Sequence, residues 1–132
     1  MDGAVLEVGP GNPKRKLGDE AERAVAAYFE AQGYVIEATN HLCKYGEVDV
    51  IARHDELYCF VEVRMRGTAL FGAPAATVGY GKQRRVAVAA LDYLQRKRLY
   101  GRVEVRFDVV SVVGRGDAAV IAHIPGAFDS PF

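Results

Sequence analysis

The stretch GEVDVIARHDELYCFVEVR, residues 46–64, predicts two short apolar strands joined by a polar turn at Asp55-Glu56. A two-residue turn at that pair sets the register of the hairpin, in which Asp49 lies directly opposite Glu62. Opposed side chains have Cβ atoms about 4.5–5.5 Å apart, and like charges in that position are destabilising. The hairpin therefore predicts two carboxylates held close together on otherwise apolar strands.

Two acids in that position need compensation, because a charge on an apolar strand requires a partner. The compensation is either a proton that the two carboxylates share or a nearby cation. A divalent metal ion with oxygen ligands is the natural candidate for the cation. In the same register Glu47 faces Arg64, so we expect these two residues to pair across the hairpin as well.

Length and composition predict a single globular domain without a membrane partner. The chain has 132 residues, of which 50% are hydrophobic and 26% charged, and this size is enough to bury one core. There is no run of about eighteen apolar residues that could span a membrane. The N-terminus lacks the apolar core of a signal peptide. We therefore expect a cytoplasmic protein.

Charge is divided unevenly along the chain although the net charge is zero. Residues 1–62 carry 6 basic and 12 acidic residues, and residues 63–132 carry 11 basic and 5 acidic residues. Within 63–102 nine residues are basic and one is acidic. An acidic half that carries a metal site, beside a basic half, suits a phosphate-bearing substrate. The alternative is that the basic residues are solvated helix and loop charges.

The pattern of apolar residues predicts the order α-β-β-β-α-β-β, an α/β domain with a mixed sheet and helices packed on it. We expect residues 1–16 to be a flexible N-terminal arm, 17–125 to form the single domain, and 126–132 to be an irregular C-terminal tail. The segment 67–81 reads as a long loop, and such loops are often functional. The predicted elements are helices over 17–32 and 82–98 and strands over 34–39, 47–53, 57–66, 106–113 and 118–124.

Several motifs, in the same order along the chain, resemble the YraN-like family of small bacterial proteins. GDEAERAVAAYFEAQGY looks like the opening helix of the family, with Glu22 in the position of its characteristic glutamate. An Asn and the motif GEVDVIA follow, and FVEVR stands where the family usually has Phe-Val-Glu-Val-Lys. FGAPAATVGYGKQRR and RFDVVSV match its later segments. This family is assigned to the PD-(D/E)XK nuclease superfamily, so the resemblance implies a restriction-endonuclease-like core.

The resemblance also implies a metal site. In the nuclease superfamily the motif Asp and Glu bind Mg²⁺, and a lysine helps to activate or position the attacking water. By resemblance Asp49 and Glu62 would be the metal ligands, with the carbonyl of Val63 as a further oxygen donor. Glu22 would complete or buttress the site. The implied cofactor is Mg²⁺ or Mn²⁺, a hard Lewis acid that suits phosphodiester hydrolysis.

The sequence departs from the family pattern at Arg64, which occupies the lysine position. Arginine stays protonated at any reachable pH, so it cannot act as a general base. It can still stabilise transition-state charge through a bidentate phosphate contact. The catalytic candidates are Asp49, Glu62, Arg64 and Glu22, and the candidate nucleic-acid contacts are Lys82, Arg84, Arg85 and Arg66.

The leading interpretation is an endonuclease-like protein that binds DNA, in preference to RNA, and hydrolyses phosphodiesters with Mg²⁺. The alternative is a nucleic-acid-binding or interaction module that keeps the fold without efficient catalysis. A third hypothesis is a metal-dependent hydrolase of small phosphate esters. A homodimer is a candidate assembly, because nucleases that cut both strands often work as dimers.

Overall fold

The computed structural model describes residues 13–66, 78–114 and 116–132, with side chains for 18–65, 78–114 and 117–132. The predicted order of helices and strands and the mixed α/β architecture are confirmed. The elements are helix α1 (Pro13–Ala31), strands β1 (Val35–Cys43), β2 (Gly46–His54) and β3 (Leu57–Arg66), helix α2 (Tyr80–Arg96), strand β4 (Glu104–Val113), a short 3-10 helix (Gly116–Ala118) and strand β5 (Val120–Phe128).

The strands form one mixed sheet in the order β1-β2-β3-β4-β5. Strands β3 and β4 are parallel, whereas the other neighbouring strands are antiparallel. A parallel connection needs a crossover, and α2 lies between β3 and β4 in the chain. The predicted hairpin register is confirmed from His54–Leu57 to Val50–Val61, with the turn at 55–56.

Each face of the sheet packs against one helix. Phe60 of β3 lies in a core cluster with Val86 and Leu94 of α2. Its neighbour Val61 lies in a second cluster with Val25 and Phe29 of α1. Because successive strand residues point to opposite faces, the two helices cover the sheet from opposite sides. No helix in the described ranges is long and apolar enough to cross a membrane.

Several boundaries differ from the prediction. Helix α1 begins at Pro13 rather than Leu17, and proline is favoured in the first turn because it lacks an N–H that the helix would leave unpaired. Helix α2 spans Tyr80–Arg96 rather than 82–98. The prediction of an N-terminal arm falls mainly on 1–12 and that of a long loop mainly on 67–77, and both segments lie outside the described residues.

Strand β5 continues to Phe128, into the segment predicted to be an irregular tail. Pro125 and Gly126 indicated a strand end, but β5 is an edge strand, where proline is tolerated. Gly126 adopts a φ of 61°, and its N–H donates to the carboxylate of Asp108 at 3.0 Å. Beyond it, Phe128 stacks on Phe107 with ring centroids 5.0 Å apart, which holds the strand end to the core.

Candidate metal centre at the paired carboxylates

The open end of the hairpin brings Asp49 and Glu62 together. The ladder between β2 and β3 stops one pair before these acids. A continued ladder would pair Val63 with Val48, but the carboxylate of Asp49 accepts the hydrogen bond from the Val63 N–H at 2.8 Å. Asp49 therefore replaces a backbone acceptor, and the two strands separate where the acids meet.

The two carboxyl groups interact through a hydrogen bond, which favours the protonated form of Glu62 over that of Asp49. Burial, and then the charge of Asp49, raises the pKa of Glu62 from 4.5 to about 7. Burial also raises the pKa of Asp49, and the hydrogen bond from Val63 opposes that rise. An acid pair that retains a proton near neutral pH has less positive charge around it than two carboxylates need, and this favours a cation as a further partner.

Helix α2 contributes one positive charge to this pair. Nζ of Lys82 lies 3.4 Å from Oε2 of Glu62. The Glu62 side chain is 8% exposed and the Lys82 side chain 41% exposed, so the lysine reaches from solvent to the buried acids. The sequence indicated Lys82 only as a phosphate contact at the start of the second helix, and its contact with Glu62 was not predicted.

Glu22 approaches the acids from α1 but is hydrogen-bonded elsewhere. Its Oε1 accepts a hydrogen bond from Nδ2 of Asn40 at 2.7 Å. Burial raises the pKa of Glu22, the Asn40 bond opposes the rise, and the charge of Asp49 adds to it. Asn40 has a φ of 52°, in the left-handed region that asparagine adopts more readily than most residues. The sequence analysis did not predict that Asn40 would bond to Glu22. The available signal was the position of Asn40 shortly before the GEVD motif.

Arg64 does not pair with Glu47 as the extended register predicted. Glu47 lies opposite Leu42 of β1, and Arg64 lies beside Ser111 in the ladder between β3 and β4. No ion pair joins Glu47 and Arg64 within the described part of the chain. The physical reason is the separation of the strands at Asp49, which ends the register before it reaches Glu47.

Ser111 adds a polar group that the sequence analysis missed. Its side chain is 4% exposed, and its Oγ has no hydrogen-bond partner among the residues that the structure describes. Residues paired in a ladder point to the same face, so Ser111 lies on the face that carries Arg64 and Glu62. A serine in an apolar strand was the available signal, but its neighbour across the ladder could not be read from the sequence.

The donor set at the acids fits a divalent cation held by two carboxylates. Mg²⁺ is usually bound by one or two carboxylates and keeps several waters. The described ranges contain no group of three or more His, Cys, Asp or Glu side chains arranged to hold a metal, so a third carboxylate is not in place. Val63 meets Asp49 through its N–H, and the use of its carbonyl as a ligand stays a prediction.

The predicted nucleic-acid contacts lie partly beside this pair. Arg84 and Arg85 are exposed in the first two turns of α2, close in sequence to Lys82. The first turn of α2 contains no acidic residue, so the positive end of the helix dipole adds to these charges. Arg66 is the last residue of β3, and its side chain lies outside the described residues.

A second buried acid, Asp108 of β4, was also missed. Arg106 donates two hydrogen bonds of 2.8 Å to its carboxylate, and Nε2 of His123 lies 2.7 Å from it. The OH of Tyr28 in α1 lies 2.9 Å from the other ring nitrogen of His123. The network ties α1 to β4 and β5, so we assign it a structural role. The sequence signal for this buried acid was a single Asp inside the apolar run RFDVVSV.

Comparison with known proteins identifies the family. The sequence model of the uncharacterised protein family UPF0102 matches residues 21–112. A UPF0102 protein of Myxococcus xanthus (strain DK1622) is 52% identical over 117 residues, covering 89% of this chain and 92% of the relative. One of Syntrophotalea carbinolica is 43% identical over 113 residues (86% and 91%). UPF0102 protein Anae109_1947 of Anaeromyxobacter sp. (strain Fw109-5) is 41% identical over 121 residues (92% and 90%).

These names confirm the resemblance to the YraN-like family and give no activity. The matches extend over most of each relative, so the similarity concerns the whole domain and not a single motif. The chain belongs to the uncharacterised protein family UPF0102.

Proposed function

We propose that this chain is a Mg²⁺-dependent phosphodiesterase that acts on DNA, with Asp49 and Glu62 as the metal-binding pair. The observation that carries the proposal is the hydrogen-bonded contact between the buried carboxyl of Glu62 and the half-buried carboxyl of Asp49, in which the pKa of Glu62 rises to about 7. Close like charges destabilise a fold, and acids with perturbed pKa values concentrate at functional sites. The choice of phosphodiester chemistry rests on the resemblance to the nuclease superfamily, which is an analogy.

Hydrolysis of a phosphodiester adds water across one P–O bond. The water oxygen forms a bond to phosphorus, the ester P–O bond breaks, and the leaving alcohol takes one proton while the other is lost to solvent. The chemistry that a bound Mg²⁺ supplies is charge neutralisation at the phosphate and a lower pKa of water. Asp49 and Glu62 would hold the ion, and the Val63 N–H keeps the Asp49 carboxylate oriented.

The basic start of α2 supports a nucleic acid as the substrate. Arg84 and Arg85 are exposed, and no acid in the first turn of the helix neutralises them. Lys and Arg side chains that contact phosphates supply most of the sequence-independent affinity for DNA. We therefore favour a nucleic acid over a small phosphate ester, and we propose DNA rather than RNA by analogy with the nuclease superfamily. The proposal includes a cytoplasmic location and leaves a homodimer as the assembly that would cut both strands.

The second candidate is a nucleic-acid-binding module without efficient catalysis. It is favoured by two observations: Arg64 stands in the lysine position, and Glu22 is bonded to Asn40 rather than gathered with the acid pair. Such a module would bind DNA through α2 but would not turn it over, so binding and cleavage must be measured separately.

The test is cleavage of labelled duplex, single-stranded, flap and junction DNA in Mg²⁺ and in Mn²⁺. Asp49→Asn removes the charge from one proposed ligand. Asp55→Asn is the matched control, because Asp55 lies at the hairpin turn with its side chain 91% exposed. Its φ of 55° also suits asparagine.

We expect wild type and Asp55→Asn to cleave at the same rate and Asp49→Asn to be slower by at least about 100-fold, the scale of one catalytic group. Equal rates for wild type and Asp49→Asn would contradict the proposal. DNA binding by wild type without cleavage of any substrate would favour the binding module.

A further inference from the structure

We propose that Lys82, which enters the site from helix α2, supplies the catalytic positive charge that strand residue Arg64 does not supply. This inference rests on the proposed phosphodiesterase function and assigns one more residue to it. The ammonium of Lys82 lies 3.4 Å from the carboxylate of Glu62. Arg64 makes no ion pair with either acid in the described part of the chain, and it lies beside Ser111 instead.

The position of Lys82 is fixed by the backbone around it. Val78, which precedes α2, is buried against Val109 of β4, and Val109 lies beside Glu62 in the ladder between β3 and β4. The side chain of Gln83 donates a hydrogen bond of 2.8 Å to the carbonyl of Val78, which fastens the start of the helix. The first turn of α2 is therefore anchored near the acid pair, and this fixes the backbone position from which the Lys82 side chain extends.

A glycine in the hairpin motif sets the depth of the helix. A methyl group on Gly46 would overlap the carbonyl oxygen of Arg85 and lie 3.2 Å from the amide nitrogen of Ala89. Any larger residue at this position would push α2 away from β2. The glycine thus allows the close approach that lets Lys82 reach the acids from the neighbouring element.

The geometry leaves Lys82 free to meet a substrate as well. An ammonium has three N–H donors, and the contact with Glu62 occupies one side of it. The side chain is 41% exposed, so a substrate can approach it from solvent. When both carboxylates are ionised, one ammonium balances only one of them, and a divalent ion that displaces the proton can balance the remaining charge.

The role that fits this geometry is electrostatic. Charge builds up on the phosphate oxygens as the water oxygen bonds to phosphorus and the ester P–O bond breaks. Lys82 would donate hydrogen bonds to one of these oxygens and keep its own proton throughout. Fixed donors aimed at developing charge lower the barrier because they need no reorganisation during the reaction.

The experiment compares Lys82→Met with Lys97→Met, the same change on an exposed lysine just after the end of α2. Measurements are kcat at saturating DNA in Mg²⁺, the Kd for DNA in Ca²⁺, and the Kd for Mn²⁺ by calorimetry without DNA. We expect Lys82→Met to lower kcat by about 100-fold or more and to change the Kd for DNA by less than about threefold, the loss of one phosphate contact. It should tighten Mn²⁺ binding, because the ammonium no longer competes for Glu62.

A rescue variant separates the charge from the fold. In Lys82→Met/Arg64→Lys, an ammonium returns to the site from β3, and we expect at least about a tenfold recovery of kcat, part of the range for one charged group. A double variant no faster than Lys82→Met would overturn the assignment of an electrostatic role. Circular dichroism and urea unfolding of each variant show whether a loss of kcat reflects loss of the fold.

Two further results would count against the inference. If Lys82→Met keeps the kcat of wild type, or weakens DNA binding at unchanged kcat, Lys82 is only a phosphate contact, and the proposed function stands because wild type and Lys97→Met still cleave. If wild type neither cleaves DNA nor binds Mn²⁺, the proposed function itself fails and the inference fails with it.

Discussion

The backbone of Gly46 in β2 packs against the carbonyl of Arg85 in α2, in a space that no side chain could share. The contact explains why the first residue of the GEVD motif is a glycine, because this part of strand β2 also packs against the backbone of helix α2. It also joins the two halves of the candidate site, because the hairpin carries the acids and the helix carries the lysine.

Gly46→Ala is expected to destabilise the protein by about 2 kcal/mol or more, because a methyl group inserted into a filled space displaces backbone. The measurement is the free energy of unfolding in urea. Gly81→Ala is the control: no atom lies within 4 Å of its added methyl group, and alanine in a helix is neutral or stabilising by up to about 1 kcal/mol relative to glycine. Equal stabilities of Gly46→Ala and wild type would contradict the close packing.

The pH dependence of stability should report the raised pKa of Glu62. Below pH 4.5 the residue is protonated in both folded and unfolded states, so its burial has no electrostatic cost. As the pH rises from 4.5 to about 7 the unfolded state loses its proton first, and the folded state loses stability. Above pH 7 this loss of stability is complete. A rise of the Glu62 pKa from 4.5 to about 7 corresponds to about 3 kcal/mol in the free energy of unfolding.

Glu62→Gln removes this cost, so in metal-free buffer the variant should gain stability relative to wild type as the pH rises. The difference should be close to zero at pH 4 and largest at pH 8. Urea unfolding with a chelator at a series of pH values measures it. Glu56→Gln, the same change at the exposed turn, is the matched control. A constant difference for Glu62→Gln would mean that the fold does not raise the pKa of Glu62.

The buried Asp108 network should be the most sensitive polar element of the fold. Asp108→Asn leaves Arg106 without its carboxylate partner, and breaking a buried ion pair from one side costs about 3–5 kcal/mol. Asp92→Asn is the control, since its carboxylate is 24% exposed and bonds to His41 and Arg96 near the surface. That change should cost less than about 1 kcal/mol. Similar losses for the two variants would contradict the structural role.

DNA binding should depend steeply on salt if α2 contacts phosphates. Replacing both Arg84 and Arg85 with glutamine should reduce the slope of log affinity against log salt by about two, for every sequence tested. Binding without metal, measured by fluorescence anisotropy, separates this effect from catalysis. Gln substitutions at Arg96 and Lys97, at the other end of α2, should leave the slope unchanged. Failure of wild type to bind DNA at low salt would exclude this surface as a nucleic-acid contact.

The sequence predicted local features well because they depend on local patterns. The apolar strands and the polar turn at 55–56 set the hairpin register, and the pattern of apolar residues predicted the order of helices and strands. The ladder departs from the predicted register beyond Val50 and Val61, where the side chain of Asp49 replaces a backbone acceptor. No periodicity in the sequence reports such an exchange.

Long-range contacts could not be predicted in this way. The contact between Lys82 and Glu62 depends on how deeply α2 packs on β2, and therefore on a backbone contact with Gly46. The Asp108 network brings together residues from α1, β4 and β5. Strand β5 extends past Pro125 because Phe128 stacks on Phe107 of the neighbouring strand. Each of these depends on tertiary packing that a single sequence does not encode at short range.

The most direct measurement of the central claim is calorimetry of Mn²⁺ binding to the metal-free protein. Wild type and Asp55→Asn should each bind one Mn²⁺ per chain with the same heat. Asp55 lies in the hairpin turn, at the opposite end of the hairpin from the acids, and its side chain is 91% exposed. Asp49→Asn and Glu62→Gln should each lose that heat while remaining folded, since each removes one of the two proposed ligands. Equal heats for wild type and Glu62→Gln, or no binding by wild type, would contradict a metal centre at Asp49 and Glu62.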